Sequence, residues 1–222
     1  MNLKRSGLLL LVFGILSFQL SGCATRLGVV VPGPQIITTN QGVKITLNNF
    51  SKEESEMVIK ALDCVPKRVQ ESVVKINAGC KELSFYVPAH YEWHGVICLS
   101  EGILTSYDAV SEYLWHESGH AYTERLGGFF IKRWENIAGK VYRAYAPKSF
   151  PSEGVLTSHG ARDSGEDIAT WAEEVYKCYN DRFNHLGGCF ASEPRYIAKL
   201  NLLLSYGFIT KDQYEKAKNK IS

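Results

Sequence analysis

His116, Glu117 and His120 form a His-Glu-x-x-His motif, whose residue types and spacing suit the binding and use of one zinc ion. On a helix, residues four positions apart lie on one face about a turn apart, so the two imidazoles can ligate the same metal. Glu117 lies beside them, where its carboxylate can take a proton from a water molecule that the metal activates. The motif therefore predicts metal-assisted hydrolysis.

A catalytic zinc site usually has three protein ligands and one position for water, so a third ligand is expected downstream. The metzincin class places Gly three and His six residues after the second His, but Thr123 and Leu126 occupy those positions. That class is therefore excluded. The other common solution is a Glu on a second helix. The sequence predicts such a helix with Ser164 as N-cap and Asp167 at the capping-box position.

Glu166, in the first turn of this second helix, is the predicted third ligand. An apolar face follows it, so the helix can pack on the core and present its first turn to the metal. Glu173, two turns further along the same face, is the alternative ligand. A further interpretation is that Glu166 only stabilises the helix N-terminus through the macrodipole.

With this ligand arrangement the chain resembles the gluzincins, zinc metallopeptidases in which a ligand Glu on a later helix follows the His-Glu-x-x-His motif. The Glu-Asp-x-Ala sequence at residues 166–169 is most similar to the catalytic domain of anthrax lethal factor and related bacterial enzymes. The resemblance covers roughly residues 83–180 and is strongest in the motif itself. It implies a zincin-like fold, a zinc cofactor and a peptide or protein substrate.

Two positions depart from the pattern of these enzymes. These enzymes commonly have a Glu four residues after the ligand, and this chain has Thr170 at that position. The difference affects a hydrogen bond around the metal and not the ligand itself. His159 stands where they have a Tyr seven residues before the ligand. An imidazole N–H can donate to a developing oxyanion as a phenol does, so the resemblance implies a catalytic role for His159. The alternative is an exposed loop histidine.

The elements that must position the motif indicate an α+β fold with a small mixed sheet. Alternation over residues 43–47 predicts a strand. Ser51 and Glu54 then form a capping box for a helix that runs to about Leu62, and a short helix is expected after Pro66. We expect the sheet to pack on the motif helix and on the second, Glu-bearing helix.

A second pair of strands is predicted at residues 83–87 and 95–99, joined as a hairpin by turn residues 88–94. An extended substrate can add as a strand to the edge formed by residues 95–99. Residues 144–163 are long enough to form the opposite wall of the cleft and to deliver His159. The aromatic residues that either line a subsite or pack in the core are Tyr113, Trp115 and Trp93.

The motif helix is predicted to start between Thr105 and Asp108 and to end at Gly127-Gly128, so the motif lies mid-helix on about twenty residues. The C-terminal part is mostly helical. An apolar helix face and a turn at Gly207 before residues 211–220 predict a closing helical hairpin.

The first residues have the layout of a bacterial lipoprotein signal. Lys4 and Arg5 precede an apolar run that is too short to span a bilayer comfortably, and the segment ends in Leu-Ser-Gly-Cys. This ending resembles a lipobox, which predicts a signal peptide over residues 1–22 and lipidation at Cys23. An ordinary signal peptide is the alternative. Ala24 replaces the Asp of the inner-membrane retention signal, so the resemblance implies the outer membrane of a Gram-negative cell, facing the periplasm. A Gram-positive surface lipoprotein is the other interpretation.

The mature chain is predicted to have a tether over residues 23–40 and a single zincin-like metallopeptidase domain over residues 41–222. Removing Lys4 and Arg5 lowers the count of basic residues from 25 to 23, which equals the 23 acidic residues. A formally neutral chain gives no indication of a polyanionic partner, so nucleic-acid binding is not expected. The oligomeric state is left open.

Five cysteines follow the lipidation site, and an exported compartment would allow them to pair. Proximity in the sequence favours the pairs Cys64–Cys80 and Cys178–Cys189, with Cys98 left free. Other pairings are open, and the alternative interpretation is that some of these residues are simply buried thiols.

Together these features predict a membrane-anchored zinc metallopeptidase. Zinc held by His116, His120 and Glu166 would polarise the scissile carbonyl, and Glu117 would act as general base. The alternative is a non-catalytic envelope lipoprotein that uses its zinc site as a binding or scaffold module. Glu117 favours the enzyme because a structural zinc site needs no adjacent base.

Overall fold

A five-stranded mixed sheet, seven α-helices and two short 3-10 helices, Glu101–Thr105 and His185–Gly188, form the regular structure of the described residues. The computed structural model describes residues 33–80, 88–139, 142, 153–189 and 193–221. The strands are β1 (Gln35–Thr38), β2 (Lys44–Asn48), β3 (Lys75–Ala78), β4 (Ala89–Glu92) and β5 (Val96–Leu99). The helices are α1 (Lys52–Leu62), α2 (Lys67–Gln70), α3 (Tyr107–Leu126), α4 (Gly128–Ala138), α5 (Ser164–Tyr179), α6 (Pro194–Tyr206) and α7 (Lys211–Lys218). The predicted α+β class is confirmed.

The strands lie in the order β1-β2-β3-β5-β4. β2, β3 and β5 run parallel, whereas β1 and β4 are antiparallel to their neighbours β2 and β5. Among the described strands, β4 therefore lies at an edge of the sheet and β5 is internal. The expectation that residues 95–99 would offer an edge to a substrate was wrong.

β4 and β5 form a hairpin immediately before the motif helix. The strand predicted at residues 83–87 lies outside the described residues. The turn predicted over residues 88–94 instead contains β4, because pairing with β5 outweighs the turn signals in that segment. Positive φ angles at His94 and Gly95 reverse the chain between the two strands. A Cβ at Gly95 would lie 2.2 Å from the carbonyl oxygen of Ser72, so this position requires glycine.

Most of the predicted helices are confirmed. α1 begins at the predicted capping box, in which the Ser51 side chain accepts from the Glu54 N–H and the Glu54 carboxylate accepts from the Ser51 N–H. α2 follows Pro66, and α3 is the 20-residue motif helix, with Gly127 as its C-cap. α6 and α7 are the two C-terminal helices, separated by Gly207 in the left-handed conformation.

The second helix, α5, begins with a different cap from the one predicted. Asp163, rather than Ser164, is its N-cap, and the Asp163 carboxylate accepts a hydrogen bond from the Glu166 N–H at 3.0 Å. The Ser164 hydroxyl instead donates to Glu135 of α4, a helix that the sequence patterns did not predict. Asp167 is fully buried and is not part of a capping box.

β1 lies within the segment that was predicted as a tether. Residues 35–38 pair with β2, the strand predicted at residues 43–47, and Ile37 is buried. The folded domain therefore starts before residue 41. The predicted signal peptide and Cys23 lie outside the described residues. None of the described helices has the length and apolar character needed to cross a membrane.

α3 is buried on most of its surface and packs most extensively against α5. The two helices approach closely at Gly119, inside the motif, where a Cβ would lie 2.9 Å from Cα of Ala169. α1 packs on another side of α3, and there the indole N–H of the fully buried Trp115 donates to the Ala61 carbonyl at 2.7 Å. Trp115 is therefore a packing residue and not part of a subsite.

A buried ion pair fixes the first turn of α5. Asp167 and Lys199 of α6 are both fully buried, and Asp167 Oδ2 contacts the Lys199 ammonium. The same oxygen accepts from the Trp134 indole N–H of α4 and from the Tyr142 hydroxyl, at 2.8 Å each. The Lys199 ammonium also donates to the carbonyl of Gly154. These hydrogen bonds join three helices at the start of α5 and offset only part of the desolvation of the two charges, because burial still raises the pKa of Asp167 and lowers the pKa of Lys199.

None of the five described cysteines is bonded to another in this structure, so the pairs that sequence proximity favoured, Cys64–Cys80 and Cys178–Cys189, are absent from it. Cys178 and Cys189 each contact a different main-chain carbonyl. Cys98, which was expected to stay apart, instead lies beside Cys80. Sequence proximity was a poor guide here because strand pairing brings distant residues together.

Replacing Gly119 with Ala is expected to destabilise the protein, because the new methyl group would overlap the backbone of Ala169 and force α3 and α5 apart. We expect the free energy of unfolding of the metal-free protein to fall by about 1–3 kcal/mol, measured by denaturant unfolding. Gly128→Ala is the matched control, since nothing lies within 4 Å of a Cβ at that position. Equal stability of the two variants would contradict the close approach of the helices.

Candidate metal centre

Three donor atoms from α3 and α5 form a cluster with the dimensions of a zinc site. His116 Nε2 lies 3.2 Å from His120 Nε2 and 3.1 Å from Glu166 Oε2. The remaining edge of this triangle, from His120 Nε2 to Glu166 Oε2, is 3.5 Å. Tetrahedral zinc with bonds of about 2.0–2.1 Å requires ligand atoms about 3.3 Å apart. The three side chains predicted as ligands therefore have the spacing that zinc needs.

Helix geometry places Glu166 opposite the two imidazoles. The histidines lie one turn apart on α3, and the close approach of α5 brings its first turn to face them. Arg162 lies 3.6 Å from Glu166 Oε1, so the carboxylate turns Oε2 towards the imidazoles. Burial raises the pKa of Glu166, but hydrogen bonds with His116, His120 and His159 outweigh burial and hold that pKa below its usual range.

Glu173, the alternative ligand, lies on the other nitrogen of His116. Its Oε2 is 3.0 Å from His116 Nδ1, while its Oε1 contacts the Lys177 ammonium. A histidine that donates its Nδ1–H to a carboxylate presents Nε2 to a metal in a fixed orientation. Glu173 therefore orients the ligand His116. The sequence pattern had placed a supporting carboxylate four residues after Glu166, where this chain has Thr170. Glu173, seven residues after Glu166, takes that role here.

The charges around His116 determine its protonation. Burial lowers the pKa of His116, but its contacts with Glu166 and Glu173 outweigh burial and raise that pKa to about 10. In the metal-free protein an imidazolium thus joins the two carboxylates, and metal binding at Nε2 must displace a proton. Lys177 adds a second cation, which contacts Glu112, Glu173 and Glu174.

His159 lies at the edge of the cluster. Its Nε2 is 2.7 Å from Glu166 Oε2, and its side chain is half exposed. His116, His159 and Glu166 offer a second set of three donor atoms, all within 4.8 Å of one another. In the set that contains His120 every pair of donor atoms is 3.5 Å or less apart, and its two histidines lie one turn apart on α3, so we assign His120 as the ligand and His159 as its neighbour. The predicted catalytic role of His159 stays a prediction.

The cluster lies in a cavity of 870 Å³ whose walls come from α3, α5, β4 and the turn that carries His159. Tyr113 lines this cavity, whereas Trp93 is 75 % exposed and is not among its lining residues. Of the segment predicted as the opposite wall, residues 144–163, the structure describes residues 153–163. Its contributions to the cavity are Thr157, His159 and Arg162.

Glu117 lines the same cavity, yet its side chain is almost completely buried. Burial raises the pKa of its carboxyl group, because the charged form is poorly solvated there. A glutamate in this environment accepts a proton more readily than an exposed one.

The donor set thus combines two histidines of one helix with a carboxylate of a second helix. No family model, curated protein or solved structure matches the chain. The chemistry open to this centre follows from its own geometry, which provides three donor atoms, a buried carboxyl group and access from the cavity.

Sequence patterns missed the residues that support the ligands. Tyr91 of β4 stacks on the His120 ring with 6.3 Å between ring centroids. This contact was not predictable from the sequence, because the residues around Tyr91 indicate a turn and not a strand. Arg162 and Lys177 hold carboxylates in place. Lys177 lies four residues after Glu173 on one helix, a spacing that favours an ion pair and could have indicated that this glutamate is already engaged.

Glu166→Ala is expected to abolish stoichiometric zinc binding, because it removes one of three ligands. Glu173→Gln should weaken zinc binding by about 10–100-fold, since it only disturbs the orientation of His116. Competition with a chromophoric chelator measures both affinities, and the exposed Glu56 on α1 provides the control variant Glu56→Gln. A larger loss for Glu173→Gln than for Glu166→Ala would reverse the assignment of ligand and supporting residue.

Proposed function

We propose that the protein is a zinc-dependent peptidase of the gluzincin type, anchored to the cell envelope through a lipid on Cys23. One observation carries the catalytic part of this proposal. His116 Nε2, His120 Nε2 and Glu166 Oε2 lie 3.1–3.5 Å from one another in a cavity that Glu117 also lines. A His-Glu-x-x-His motif can occur without a carboxylate from a second helix and without this spacing of donor atoms. Both observations therefore support a zinc site more strongly than the motif does alone.

Zinc held by these three side chains would polarise a peptide carbonyl and make a water molecule more acidic. Glu117 is the proposed general base: its buried carboxyl group accepts a proton from water and can pass it to the leaving amine. His159 borders the same space and is the proposed donor to the developing oxyanion. Glu173 keeps His116 oriented throughout.

β4 is the proposed binding site for the main chain of the substrate. It is an edge strand of the described sheet, and residues 88–91 line the cavity. An extended peptide can pair with such an edge through backbone hydrogen bonds, which give affinity with little sequence selection. An edge strand, a motif helix and a Glu-bearing helix around one cavity support the proposed zincin-like fold.

A non-catalytic zinc lipoprotein is the second candidate, and His159 is the observation that favours it. Its Nε2, 2.7 Å from Glu166 Oε2, could complete a set of four ligands, which is typical of structural zinc sites. Glu117 and the size of the cavity favour the peptidase. A structural site needs neither a buried carboxyl group beside the metal nor space for a substrate.

Glu117→Gln is expected to lower kcat/KM for peptide cleavage by at least about 100-fold, because an amide cannot accept the proton. Zinc should remain stoichiometric. Cleavage of a peptide library by residues 24–222, produced under oxidising conditions, measures the activity. Glu56→Gln is again the matched control. Stoichiometric zinc without Glu117-dependent cleavage would contradict the peptidase and favour the binding module.

Cys23→Ser is expected to release the protein from the membrane fraction, because the predicted lipid anchor is attached to this sulfur. Cell fractionation and metabolic labelling with a palmitate analogue measure the effect. Cys64→Ser, which removes a cysteine of the folded domain, should stay membrane-bound and labelled. A wild-type chain that incorporates no lipid label would contradict the anchor.

A further inference from the structure

Cys80 lies two residues after the end of β3, and Cys98 lies in β5, the strand that pairs in parallel with β3. Asn77 of β3 lies opposite Cys98 in the register of these strands. The Asn77 side-chain amide is 3.7 Å from Cys98 Sγ, and the Asn77 carbonyl is 3.8 Å from Cys80 Sγ. Cys80 is also among the groups that raise the pKa of Cys98, as expected of a nearby thiol. Two cysteines that are eighteen positions apart in the sequence therefore flank a single residue.

Gly79 explains how Cys80 reaches the neighbouring strand. Its N–H donates to the Leu99 carbonyl at 2.9 Å, and its φ of 69° turns the chain away from the line of β3. Glycine adopts this left-handed conformation without the steric cost that other residues have. The turn is thus built into the backbone, and it leaves Cys80 Sγ beside the Asn77 carbonyl, next to the residue whose side chain contacts Cys98.

We propose that Cys80 and Cys98 form a disulfide bond when the protein reaches an oxidising compartment. This inference rests on the proposed export of the chain and is independent of its catalytic activity. The bond would close a loop that contains β4, the edge strand that lines the metal-site cavity. Both ends of the segment that carries this strand would then be fixed to the sheet.

The reaction is a thiol–disulfide exchange in which the oxidant is the disulfide of a dithiol oxidoreductase or of a small molecule. Cys80 is the more accessible thiol, and burial raises the pKa of Cys98, so Cys80 attacks first. Cys80 gives its proton to solvent and forms a bond to one oxidant sulfur, while the oxidant S–S bond breaks and its other sulfur takes up a proton.

The second step uses a neighbouring carboxylate. Glu92 Oε1 lies 3.3 Å from Cys98 Sγ and can accept the Cys98 proton. The resulting thiolate attacks Cys80 Sγ, the mixed disulfide breaks, and the remaining oxidant sulfur leaves as a thiol after protonation. Two electrons have then passed from the cysteines to the oxidant.

Thiol trapping of the full-length chain tests the bond. Protein from the membrane fraction is alkylated without reduction and mapped by mass spectrometry, and we expect a cross-linked peptide pair that contains Cys80 and Cys98. In Cys98→Ser, Cys80 should become alkylated, whereas the control Cys64→Ser should keep the cross-link. If both thiols are free on isolation, oxidised glutathione should produce the bond in the folded protein, which would support the geometry and contradict export. Alkylation of both thiols after that treatment, or linkage of either to a different cysteine, would overturn the proposal.

Reduction of the bond is expected to lower the Tm of the wild-type protein by about 6–12 °C. A non-chelating phosphine is the reductant, so that zinc is not removed at the same time. The Tm of Cys98→Ser should not change on reduction, while Cys64→Ser should respond as the wild type does. An unchanged Tm on reduction of cross-linked wild-type protein would overturn the stabilising role of the bond.

Discussion

The contact between Gly119 and Ala169 sets the distance between α3 and α5, and the metal centre depends on that distance. Metal ligation tolerates errors of only about 0.2 Å in bond length, whereas one methyl group between two helices displaces them by more. Gly119 lies between the two histidines of the motif. The same helical turn therefore carries the imidazoles and lets the helix with Glu166 come close enough to meet them.

Other supports act on orientation rather than on distance. Glu173 holds His116 through Nδ1, Tyr91 stacks on His120, and Arg162 takes the second oxygen of Glu166. Each contact removes rotational freedom from a different ligand, so the donor atoms are arranged before a metal arrives. A site of this kind loses little side-chain entropy on binding, which favours affinity.

Local signals made α3 and the position of Glu166 predictable, because caps, terminal glycines and motif spacing are all encoded within a few residues. The cap of α5 was misplaced by one position, since Asp163 and Ser164 are both good capping residues and only the three-dimensional contact selects Asp163. β1 and β3 were missed, because strands of four residues have too little periodicity to stand out. Strand pairing also decided which cysteines are neighbours, and no local pattern encodes that.

Asp167 follows Glu166 directly, so the residue that ties α5 to the core is the neighbour of the residue that faces the metal. Separating Asp167 from Lys199 would leave a charge buried without its partner, at a cost well above that of one local contact. Fraying of α6 alone is therefore disfavoured. The start of α5, the metal centre and α6 form one cooperative unit that opens as a whole. A metal ion that binds only when this unit is folded consequently stabilises α6 as well, although α6 lies outside the coordination sphere.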